Sequence, residues 1–213
     1  MSRIALSSLE GRWNDITHAR VQFFRYRTRA DVSQKIGLAL GFSAITGLAA
    51  QIQLVLPFTP IPITFTTFAV LLSGIALGAR WGGISQTLYI GLGAAGLPWF
   101  AGTSGGFGVI LGATGGYIIG FVLAAVVVGF YTDKLAPEHQ LYHLIIILIV
   151  ANFVVIYGTG LPWFFGWLTI SQGSMPSMVD LLSMGLFPFI PGDVIKLFFV
   201  VPVAKVIIPN EAY

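Results

Sequence analysis

From Ile36 to Pro209 the chain is almost without charge. Lys and Arg occur there only at Arg80, Lys134, Lys196 and Lys205, and Asp and Glu only at Asp133, Glu138, Asp180 and Asp193. A soluble domain carries about 25% charged residues, whereas the whole of this chain carries 9% and has a mean hydropathy of +0.87. Too little polar surface remains to cover a water-exposed fold. A bilayer crossing needs about 20 mostly apolar residues, and six stretches qualify, at 36–56, 63–79, 81–97, 111–131, 141–160 and 193–209. The expectation is an all-α membrane protein with six transmembrane helices.

The basic residues set its orientation. Arg3, Arg12, Arg20, Arg25, Arg27, Arg29 and Lys35 precede the first crossing, Arg80 and Lys134 fall in the second and fourth connections, and Lys205 lies near the end of the last crossing. The other three connections, 57–62, 98–110 and 161–192, hold no Lys or Arg. By the positive-inside rule both termini are cytoplasmic. The expected organisation is a basic cytoplasmic segment over 1–35, a transmembrane domain over 36–209 and a short tail over 210–213. The location expected is a bacterial-type cytoplasmic membrane, crossed several times. A net charge of +3 and pI near 9.3 could suggest nucleic acid. The clustering beside a membrane span instead points to anionic lipid headgroups. No stretch in the first 35 residues is apolar enough for a cleavable signal peptide. The absence of cysteine rules out disulfides and thiolate chemistry.

The external connections are unusual. "LPFTPIPITFTT" (56–67) concentrates prolines, "GLPWFAGTSGGFGVILGATGGYIIG" (96–120) is dense in glycine, and 161–192 is long and mostly apolar. Irregular backbone at membrane depth must be buried in protein or line a cavity. Three such segments on one side are expected to fold together over something.

"GLGAAG" (91–96) matches the spacing of a dinucleotide fingerprint. It lies inside an apolar span, and the next acid is Asp133, so it reads as close helix packing instead. Small-residue spacings recur at Gly37/Gly41, Gly74/Gly78 and Gly116/Gly120, and Ala39, Ser43 and Gly47 form a further stripe on the first span. Such stripes pack within the chain or against another subunit. There is no Walker A signature, no metal motif and no catalytic constellation, so the chain reads as a binding or transport module that hydrolyses no ATP itself. What remains is "PGDVIK" (191–196). Asp193 and Lys196 sit at i, i+3 on one helix face, and ionisable groups inside a membrane mark functional sites by default. The two either neutralise each other, or Asp193 merely caps the helix amino terminus, or both face a cavity and share one ligand. Asn152, Tyr89 and Tyr117 are further candidates for polar contacts.

"PFTPIPIT" (57–64), "GARWGGISQTLYIGLGAAGLPWFAGTSGGFGVILGATGGY" (78–117) and "PGDVIK" together resemble the BioY family, the biotin-specific substrate-binding (S) components of energy-coupling factor (ECF) transporters. The resemblance covers about 36–209. It implies a six-helix S-component fold that binds biotin near the external face and carries no cofactor. It also implies partners: a transmembrane coupling subunit and two ABC ATPase subunits. Lys196 would then meet the biotin carboxylate or another acceptor and Asp193 a ureido N–H, with Tyr89, Asn152, Tyr117 and the backbone of 102–116, Gly115 included, completing the shell. The stripe Ala39, Ser43 and Gly47 would face the coupling subunit. Two positions depart from the family pattern, Thr66 where Gln is usual and Ala113 where Pro is usual. An S component for thiamine or riboflavin, and a stand-alone biotin transporter, are the alternative readings.

Overall fold

The computed structural model describes residues 29–134 and 140–208, together with Gln22. The rest of the basic amino-terminal segment, His139 and the tail at 210–213 lie outside the described residues.

Helix α1 (Val32–Gln51) starts earlier than its apolar run suggests, because Asp31 stands at its N-cap, where the Asp31 backbone N–H donates to Gln34 Oε1 at 3.1 Å. It ends at Gln51 rather than 56. The following residues leave the helix for a short antiparallel pair, β1 (Gln53–Leu54) and β2 (Ile63–Thr64), in register Gln53↔Thr64 and Leu54↔Ile63. Pro57, Pro60 and Pro62 between the strands exclude helix there by their fixed φ and missing N–H.

Helix α2 (Thr66–Ala94) supplies two crossings, because it folds back at Gly78. The φ of 77° and ψ of 179° there are essentially confined to glycine. A Cβ on Gly82 would lie 3.0 Å from the Gly74 Cα, and Gln86 Nε2 donates to Ser73 Oγ at 2.9 Å. Positions eight apart on a straight helix would be ~12 Å apart. The arms therefore run antiparallel, and the second and third expected crossings are a tight helical hairpin. Its first arm, Thr66 to Leu77, spans only ~18 Å of a hydrocarbon core ~30 Å thick. The proline-rich hairpin 53–64 completes that crossing on its outer side.

A short helix, α3 (Phe107–Leu111), precedes α4 (Gly115–Thr132), which packs closely on both neighbours. A Cβ on Gly74 would meet the Ala125 carbonyl oxygen at 2.6 Å, and Gly129 abuts the Gly78–Ala79 turn. On its other side, Gly116 and Gly120 lie against Trp163 and Thr159, while Gly160 receives the Tyr117 ring. Gly74→Leu is accordingly expected to destabilise the fold by about 1–3 kcal/mol through overpacking, read as a lower melting temperature in detergent.

The fifth crossing corrects the sequence reading. Helix α5 (Gln140–Ile149), a π-helical segment (Val150–Ile156) and α6 (Tyr157–Gln172) form one continuous rod, so residues 161–172 are helix and not connection. Pro162 is accommodated inside it, as membrane helices allow when neighbours satisfy the freed backbone groups. The rod stops at Gly173, which takes the left-handed C-terminal position with φ 68°. The true connection is 173–189 and contains α7 (Met178–Gly185), capped by Ser177. Helix α8 (Ile190–Ile207) follows at a bend of 41°, with Pro191 in its first turn.

The ends of the helices sort as the basic residues require. Ala79 N–H donates to Asp133 Oδ2 at 3.3 Å, so the Arg80 and Lys134 connections meet on one side, where α8 also ends. On the opposite side Thr59 Oγ1 donates to the Met184 carbonyl at 2.8 Å, Tyr117 Oη to that of Gly185 at 2.8 Å and Trp163 Nε1 to that of Gly112 at 2.9 Å. The three unusual connections do fold together.

Candidate functional site

Beneath those connections lies a cavity of about 430 Å³. Its walls are mostly apolar: Pro60, Ile61 and Pro62 from the strand connection, Phe100 and Val109 from the glycine-rich segment, Ile118 and Phe121 from α4, Ile156 from the π-helical segment and Phe189 before α8. Tyr89, Tyr117, Tyr157, Thr67, Asp193 and Lys196 add polar groups. The size and the mix are those of a small-molecule site, a mostly apolar pocket with a few placed polar groups.

The glycine-rich segment can form one wall because its backbone is fastened from several directions. Trp99 Nε1 donates to the Tyr89 carbonyl at 2.9 Å. Gln51, at the end of α1, donates to the Trp99 and Phe100 carbonyls at 3.1 Å each and accepts from the Thr103 N–H at 2.9 Å. Gly102 sits at φ 68°, a turn that suits glycine. The Phe100 ring lies on the face of Gly93, in "GLGAAG", and edge-on to Tyr89 at 5.3 Å. That motif thus makes the room for an aromatic wall.

Asp193 and Lys196 are both buried. Lys196 Nζ lies 2.7 Å from Asp193 Oδ1 and donates to Thr67 Oγ1 at 3.1 Å. Asp193 Oδ2 accepts from Asn152 Nδ2 at 2.9 Å and from Tyr157 Oη. A carboxylate offers about four acceptor positions and an ammonium three donors. Three of the acceptor positions are taken by protein. Two of the three donors are taken, and among the described residues the third N–H has no acceptor. The pair therefore presents an anchored cation to the cavity.

Tyr157 and Thr67 were not singled out in the sequence. Asn152 and Tyr157 are five apart, which on an α-helix puts them ~140° apart around the axis. The π-helical turn between them, with its i→i+5 bonding, brings both onto the same carboxylate oxygen. No residue pattern announces that turn. Thr67 stands in "ITFTT", one residue from the cavity-lining Thr66, whose hydroxyl donates to Thr64 Oγ1 at 2.7 Å.

Of the other expected residues, Tyr89 and Tyr117 line the cavity, Tyr117 with its hydroxyl on the Gly185 carbonyl. Asn152 does not line it but holds Asp193 from behind. Gly115 packs against the Ile110 carbonyl and Trp163, and its neighbour Thr114 is the lining residue. The stripe Ala39, Ser43 and Gly47 is a correction. All three are buried inside the chain, Ala39 and Ser43 completely, and a Cβ on Gly47 would meet the Trp99 side chain at 3.0 Å. They pack α1 onto its own bundle. The outward face of α1 carries Gly37, Gly41 and Leu48 instead, with open space beyond both glycines.

A multi-pass helical membrane protein with a mostly apolar cavity and, among the described residues, a buried ion pair on its wall belongs, by fold and site, among the proteins that bind a small solute within the membrane. More narrowly, the chain belongs to the BioY family, whose model matches residues 20–211. It is 44% identical to the "Probable biotin transporter BioY" of Methanothermobacter thermautotrophicus, over 67% of this chain and 90% of that one. It is 34% identical to the protein of the same name from Pyrococcus horikoshii, over 81% and 95%, and 35% identical to the "Biotin transporter BioY" of Thermotoga maritima, over 73% and 85%. Among solved structures, the S-component for biotin from an ECF-type ABC transporter superposes with a TM-score of 0.71 at 24% identity, over 81% of this chain and 89% of that one. That likeness establishes the S-component fold.

Proposed function

We propose that this chain binds biotin from the outer side of the cytoplasmic membrane and serves uptake as the substrate-specific component of an ECF-type ABC transporter, without enzymatic activity of its own. The observation that carries this reading is the Lys196 donor that has no acceptor among the described residues, in a mostly apolar cavity of about 430 Å³. Biotin has an apolar bicyclic body, a ureido group with two N–H donors and one carbonyl, and a carboxylate tail, so it needs such walls and such a cation. Lys196 takes the carboxylate or the ureido carbonyl. Asp193 keeps its remaining acceptor position for a ureido N–H, and Asn152 and Tyr157 hold it in place. Thr66, where the family usually has Gln, and Thr114, next to Ala113 where Pro is usual, both line the cavity. The alternative ligands thiamine and riboflavin lack a carboxylate and leave the Lys196 donor without its simplest partner.

Energy comes from elsewhere: a transmembrane coupling subunit with two ATPase subunits. The outward face of α1 with Gly37 and Gly41 is the surface for that coupling subunit, since small residues let a second helix approach closely. The test is uptake of labelled biotin by cells that express the chain with and without the coupling module. Uptake that requires the module supports the reading, and equal uptake without it assigns stand-alone transport. Tyr157→Phe tests the positioning role. Its expected effect is a three- to tenfold loss of affinity together with a modest drop in the melting temperature of ligand-free protein, because the bond to Asp193 is already present there.

A further inference from the structure

A second cavity of about 590 Å³ opens between α5 with its π-helical extension and α8. Every residue that lines it is Leu, Ile, Val, Phe or Pro, except Lys205. Along the fifth crossing it runs from Leu141 to Phe153, ~18 Å at helical rise, and along α8 from Val194 to Lys205, ~16 Å. That is about half of a hydrocarbon core ~30 Å thick. Leu141 follows the Lys134 connection and Lys205 stands in the last turn of α8, so the groove runs from the cytoplasmic end of the bundle to mid-membrane. It ends at Phe153, which stacks on Tyr157.

We propose that this groove holds one acyl chain of an anionic phospholipid of the inner leaflet, with its phosphate on Lys205. Three observations select that occupant. The groove is one leaflet deep, which is the reach of an acyl chain and not of a crossing helix. Its walls contain no Gly, Ala or Ser, the residues that let helices come close; a narrow flexible chain has no such requirement. Its single cation sits at the cytoplasmic mouth, is exposed, and among the described residues has no ion-pair partner. The cytoplasmic leaflet is the anionic one. The inference is independent of which solute fills the other cavity, since the two share no lining residue.

The test is native mass spectrometry of the full chain released from nanodiscs that contain equal phosphatidylglycerol and phosphatidylcholine. One retained phosphatidylglycerol per chain is expected, at about fivefold preference, the worth of one lysine near an anionic surface. Lys205→Gln is expected to remove the preference, and Val201→Trp, which fills the groove, to remove the retained lipid of either kind. The melting temperature of each variant confirms that it is folded. A photo-crosslinker at Phe198 in cell membranes is expected to yield a lipid-mass adduct. Equal retention of both lipids by the wild type, an unchanged preference in Lys205→Gln, or a protein adduct at position 198 would overturn the proposal.

Discussion

Lys196→Ala is expected to weaken biotin binding by at least about 30-fold, the effect of truncating one partner of a buried, hydrogen-bonded charge pair. The loss has two sources that a single variant mixes. One is the donor given to the ligand. The other is the Asp193 carboxylate left buried with only Asn152 and Tyr157 as partners, an uncompensated charge that costs about 3–5 kcal/mol of stability. The double variant Asp193→Asn with Lys196→Met separates them. It removes both charges, so the melting temperature is expected to return close to that of the wild type while binding remains lost. A double variant that binds biotin like the wild type would reduce the pair to internal neutralisation. The measurements are calorimetric titration and thermal denaturation on the same preparations.

Gly41→Leu is expected to leave biotin binding by the isolated chain unchanged and to reduce uptake by at least about tenfold. Among the described residues outside its own helix, nothing lies within 4 Å of a Cβ at Gly37 or Gly41, so the larger side chain is accommodated without strain in the bundle. Outside, it would hold a partner helix away from the backbone it needs to approach. Ser43→Leu makes the contrast: Ser43 is fully buried, so the expected result is loss of folded protein. The two variants thus distinguish the inward and outward faces of α1, one by yield and the other by uptake.

The multi-pass helical architecture, the sorting of the helix ends to two sides and the gathering of the unusual connections on one of them were legible because they follow from charge scarcity and the placement of Lys and Arg. Asp193 and Lys196 were legible because ionisable residues are so costly in a membrane. The length of the fifth helix was not. The expected crossing stops at residue 160, yet the apolar run continues past it and the helix continues through Pro162 to Gln172. Tyr157 was missed because ordinary helical periodicity places it away from Asn152, and the π-helical segment that aligns them is a packing outcome. The stripe on α1 was recognised as small, but two small-residue rows, Gly37/Gly41 and Ala39/Ser43/Gly47, lie on the same helix. Only packing against the helical hairpin and Trp99 decides which of them is inside.

The most direct measurement is calorimetric titration of biotin into the purified, detergent-solubilised chain alone, beside thiamine and riboflavin. One biotin bound per chain, with no competition from the other two vitamins, is the expected result. Folded protein that binds no biotin, or that prefers a ligand without a carboxylate, would contradict the assignment of the Lys196 cavity.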